Sequence, residues 1–60
     1  MKYEKGDRVE LFMPLGEMIT GTVEGEHAGE HFAGFILVKL DDHKAFSHIL
    51  MHPRSMRKLS

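Results

Sequence analysis

Arg8-Val9-Glu10-Leu11-Phe12-Met13-Pro14-Leu15-Gly16-Glu17-Met18-Ile19-Thr20-Gly21-Thr22-Val23-Glu24 holds two alternating runs separated by a proline–glycine turn signal. Val9, Leu11 and Met13 share one face of the first run. Ile19, Gly21 and Val23 share one face of the second, with Thr20, Thr22 and Glu24 opposite. A period of two marks half-buried strands, because successive side chains of an extended chain point to opposite sides. Pro14 has no amide hydrogen to give a ladder, so it ends the first strand and Leu15-Gly16 makes the turn. Gly21 in mid-strand predicts a bulge or a sharp bend.

The pattern continues in Phe35-Ile36-Leu37-Val38-Lys39-Leu40, with Ile36, Val38 and Leu40 on one face and Phe35, Leu37 and Lys39 on the other. It is the most hydrophobic segment and is apolar on both faces over most of its length. That predicts a central strand whose second face is covered by more of the chain or by another subunit. Asp41-Asp42-His43-Lys44 reads as a tight turn in which His43 takes a left-handed conformation. A fourth strand is expected over 45–51, one 3₁₀ turn at Pro53-Arg54-Ser55 and a short closing strand over 56–59. Between strands two and three, Gly25, Gly29 and Gly34 each cost a helix about 1 kcal/mol, so 25–34 reads as a long hairpin loop.

Sixty residues form one domain, 1–60. A chain of this size buries only about 60% of the surface its unfolded form exposes, so the core is thin and a partner chain would help. It contains no cysteine, which removes disulfides and thiolate metal sites and suits a reducing, cytoplasmic setting. No apolar run reaches the roughly 20 residues of a membrane span, and the opening Met1-Lys2-Tyr3-Glu4-Lys5-Gly6 has no signal-like apolar stretch. The formal net charge of −1 argues against a protein built wholly for coating nucleic acid. The charge is uneven: residues 1–30 are acidic on balance and residues 31–60 basic.

Lys5-Gly6-Asp7-Arg8-Val9, Gly21-Thr22-Val23, Val38-Lys39-Leu40-Asp41-Asp42 and the closing His52-Pro53-Arg54-Ser55-Met56-Arg57-Lys58-Leu59 follow one another in an order that resembles small SH3-like barrels, including KOW- and Tudor-like modules. The resemblance covers nearly the whole chain and implies a five-stranded barrel, with the Gly-Asp-x-Val element setting the first strand and a proline turn before the last. It carries no functional motif. A Tudor-like aromatic cage is not expected from Tyr3, Phe12, Phe32, Phe35 and Phe46 without tryptophan. Type II dihydrofolate reductases begin similarly with Gly-Asp-Arg-Val, but their Val-Gln-Ile-Tyr pore motif has no counterpart in a chain without glutamine.

His27-Ala28-Gly29-Glu30-His31 matches a metallopeptidase pattern, H-x-x-E-H. That chemistry needs both histidines on one face of a buried helix and a third ligand, whereas this stretch is glycine-rich loop. No metal, cofactor or catalytic residue is therefore expected, and no nucleophile–base pair supports an enzyme. Two surfaces are candidates for binding. Phe12, Phe35, Leu37 and Phe46 lie opposite the core positions, and Met13, Met18, Met51 and Met56 add flexible apolar surface, together suiting a protein partner or self-association. His52, Arg54, Arg57 and Lys58, with His48 nearby, suit an anionic partner, as in a KOW-like nucleic-acid module. A non-enzymatic interaction module is the expected function.

Overall fold

The computed structural model describes residues 3–26, 34–42 and 47–59. These form one antiparallel sheet of five strands: β1 (Arg8–Phe12), β2 (Met18–Glu26), β3 (Ile36–Leu40), β4 (His48–Met51) and β5 (Met56–Lys58). A 3₁₀ turn at Pro53–Ser55 separates the last two. The strand order is β4-β3-β2-β1-β5, so a four-stranded meander is completed by the final strand returning beside the first. This all-β arrangement is compatible with an SH3-like module. No ladder joins β4 to β5, and the expected closed barrel is seen as a single sheet with two edges.

The β1–β2 turn is built as its residues demand. Gly16 N–H donates to Met13 C=O and Met13 N–H to Glu17 C=O, both at 2.9 Å. Pro14 supplies the fixed φ at the second turn position, and Gly16 takes φ +89°, which a side chain would disfavour.

Alternation places the core as expected. Val9, Leu11, Val23 and Val38 are fully enclosed, and Ile36, Leu40, Met56 and Tyr3 complete the buried cluster. Met13, Ile19, Ile49 and Met51 pack at its margin. One of these placements differs from expectation: Met56 belongs to the core because it pairs with Leu11 across β1 and β5. Tyr3, for which the sequence carried no placement, is pinned there by its hydroxyl, which donates to Met56 C=O at 3.3 Å.

The bulge sits at Glu24, between the Val23–Val38 and Gly25–Leu37 pairs, and not at Gly21. Gly21 serves a different need. A Cβ there would lie 2.6 Å from both the Lys39 carbonyl oxygen and Val38 Cγ1, so β2 and β3 approach more closely than any side chain permits. The bulge carries β2 on to Glu26, two residues into the segment expected as loop. Residues 27–33 and 43–46, with the expected His43 turn, the start of the fourth strand and the His27/His31 pattern, lie outside the described residues.

The sheet must curl. Met51 and Met56 end β4 and begin β5, and five chain steps span at most about 17 Å. Four strand spacings in a flat sheet amount to about 19 Å, and the 3₁₀ turn shortens the reach further. The edges are therefore drawn around the shared core face.

Candidate interaction surfaces

The outer face of the sheet carries a polar band. Arg8, Thr22, Lys39 and His48 stand in register across β1 to β4. Arg8 Nη1 donates to Asp41 Oδ1 at 2.7 Å and to Thr22 Oγ1 at 2.6 Å, and its Nη2 pairs with Asp41 Oδ2. Thr20 Oγ1 donates to the same carboxylate at 2.7 Å. These bonds, Arg8's first and Thr20's second, hold the Asp41 carboxyl down at about 2. Arg8 is raised by the same contact. The network joins the first strand to the end of the third through hydrogen bonds from both terminal nitrogens of the Arg8 guanidinium.

The apolar candidates do not converge on one patch. Phe12 faces Met18 across the β1–β2 pair, whereas Leu37 faces Gly25 on β2 and Leu50 on β4. Seven residue steps along β2 separate Met18 from Gly25, roughly 20 Å of strand with the polar band between them. Phe35 stands just before β3, half-buried, with its ring edge-on to His52 at 5.4 Å between centroids. Phe46 lies outside the described residues.

The hairpin end holds more than the sequence singled out. Phe12 is 42% exposed, Met18 50% and Leu15 89%, and all three belong to the β1–β2 hairpin end. Leu15 was legible only as a turn residue. The signal it carried was a large apolar side chain between Pro14 and Gly16, where a tight turn leaves nothing to cover it.

The basic end is largely neutralised. Arg57 approaches Glu10 Oε1 with both Nε and Nη2 at 2.8 Å. Lys58 Nζ lies 3.3 Å from Asp7 Oδ2 and 5.8 Å from the centre of the Tyr3 ring. Asp7 is itself lowered, first by the Glu4 backbone N–H at 2.9 Å and also by Lys58. Strand alternation turns Arg57 outward with Glu10 and Lys58 to the other side with Val9. His52 Nδ1 accepts from Arg54 N–H at 3.1 Å and caps the 3₁₀ turn. Arg54 is exposed, and its side chain has no partner among the described residues.

A hollow of about 190 Å³ lies between Met18, Ile19, Thr20, Leu40, Asp41 and Asp42. Ligand pockets usually start near 300 Å³, and its inner carboxylate is taken by Arg8 and Thr20. Among the described residues no cluster of His, Asp and Glu could hold a metal, and no helix is long and apolar enough to cross a membrane. Comparison with protein-family models, curated proteins and solved structures finds no match.

Proposed function

We propose that the chain is an SH3-like barrel module that binds a protein partner and performs no catalysis. The strand order, the 3₁₀ turn before the last strand and the enforced curl of the sheet support the barrel reading. The observation that carries the binding reading is the exposed apolar hairpin end, Phe12, Leu15 and Met18. A small domain gains little by exposing a phenylalanine, a leucine and a methionine together, and such clusters suit docking. The pairing of Arg57 and Lys58 with carboxylates supports a protein partner over a phosphate backbone, since each phosphate contact would first have to displace an internal ion pair.

Affinity capture with the wild-type chain and with a Phe12→Ser/Leu15→Ser variant tests this. A partner held by the wild type binds the purified wild-type chain directly and binds the variant at least about tenfold more weakly, with both baits equally folded. Equal capture by the two baits would refute the hairpin end. Oligonucleotide binding that falls steeply with salt and is lost in Arg54→Glu would favour the nucleic-acid reading instead.

A further inference from the structure

The two edges of the sheet use their backbone groups differently. Leu59 N–H donates to Arg8 C=O. Alternation then turns Arg57 toward β1 and leaves Met56 and Lys58 facing away from it. Met56 is already served there: its N–H donates to Pro53 C=O, and its C=O accepts from Tyr3. Charged Arg57 and Lys58 guard the rest of that edge.

Among the described residues, the β4 edge has none of these protections. Leu40 N–H donates to Ser47 C=O at 2.9 Å, so Ile49 and Met51 bond toward β3 while the N–H and C=O of His48 and Leu50 point away from the sheet. Those outward groups have no partner among the described residues. The stretch from Ser47 to His52 contains no Asp, Glu, Lys, Arg or Pro, and Ile49, Leu50 and Met51 are half-buried on alternating faces. Unpaired, uncharged and apolar edges are templates for another strand.

We propose that β4 pairs antiparallel with β4 of a second copy of this chain, about a two-fold axis at Leu50, through the free backbone groups of His48 and Leu50. The sequence around Leu50 is symmetric in kind: Ile49 and Met51 flank it, then His48 and His52. In this register Leu50 exchanges both N–H···O=C bonds with the partner's Leu50, and His52 N–H reaches the partner's His48 C=O. The outer-face pair Leu37–Leu50 continues into its own copy, giving an apolar stripe across the junction. On the core face Ile49 meets the partner's Met51, and both margins of the core become covered. A second copy fits this edge because each face of β4 meets its own kind, and the gain in burial serves a thin core.

Sedimentation equilibrium from about 10 μM to about 1 mM, the range of a weak dimer, reads the pairing directly. The mass rises toward twice that of the chain, and amide exchange at His48 and Leu50 slows with concentration. An isotope-filtered NOE joins Ile49 Hα to Met51 Hα between copies. Chemical N-methylation of the Leu50 amide removes one outward donor without touching the β3 ladder, and it returns the mass to that of the monomer, as does Leu50→Lys. Unchanged chemical shifts at Val9 and Val23 certify the fold of each. A monomer throughout, or a dimer indifferent to both changes, overturns the proposal. This surface is separate from the hairpin end, so Leu15→Ser leaves the self-association unchanged whatever becomes of partner capture.

Discussion

Gly21 shows how one residue can be set by a contact that its neighbours in sequence do not reveal. Its missing side chain lets the Lys39 carbonyl and Val38 come within 2.6 Å of where a Cβ would stand. Gly21→Ala forces two strands apart in mid-sheet and costs about 1–3 kcal/mol, read as a lower urea midpoint with an unchanged slope. Asp41 is the second residue whose environment has a measurable consequence. Its folded pKa of about 2 lies below the ordinary aspartate value of 3.8. The depressed value means that its contribution is present above about pH 4 and is lost as pH falls through about 2. The pair is substantially exposed, so Asp41→Asn costs at most about 1 kcal/mol at neutral pH, and the two proteins converge in stability near pH 2. Urea titrations at both pH values, with an NMR titration of the Asp41 carboxyl, check the size and the sign.

Among the elements, β5 depends most on distant parts of the chain. It is three residues long, and only Met56 is buried. Tyr3, more than fifty residues earlier, holds it by a hydroxyl–carbonyl bond and by its ring under Lys58. Tyr3→Phe keeps the ring and removes the bond, so it costs about 0.5–1.5 kcal/mol and speeds amide exchange in β5 before it does so in β2 or β3. The first three strands were legible from alternation, apart from their ends, because a period of two needs only neighbouring residues; the last two were placed from the turn signals that precede them. The bulge at Glu24 was not: its cause is the register between Val23–Val38 and Gly25–Leu37, a relation between two strands. The 3₁₀ turn was legible from Pro53 alone, since proline suits the first turn position.

At the scale of the molecule, Val9, Leu11, Val23 and Val38 are the largest fully enclosed side chains among the described residues. Leu11→Ala opens a cavity there costing about 2–5 kcal/mol, comparable to the total stability of so small a domain. The variant loses its cooperative thermal transition at room temperature, as circular dichroism would report. Phe12→Ser and Leu15→Ser spare that core and change the midpoint little, which separates binding from folding. Of the candidate sites, Phe12 was placed correctly as an outward residue, but its grouping with Leu37 did not survive the topology. The two share a face and stand at opposite ends of it. Arg57 and Lys58 look adjacent in sequence and free; in the sheet they point to opposite sides, each toward a carboxylate of β1 or its approach.

The amino-acid order by itself determined the strand periodicity, the inward set from Val9 to Leu40, and the turns at Pro14–Gly16 and Pro53, since each follows from φ/ψ limits and alternation within a few residues. Only the tertiary structure decided that Met56 and Tyr3 are buried, that Gly21 marks a close approach, that Arg57 and Lys58 are internally paired and that β4 keeps an open edge among the described residues. Those outcomes depend on which strands become neighbours and in what register, and pairing across long sequence separations leaves no local trace.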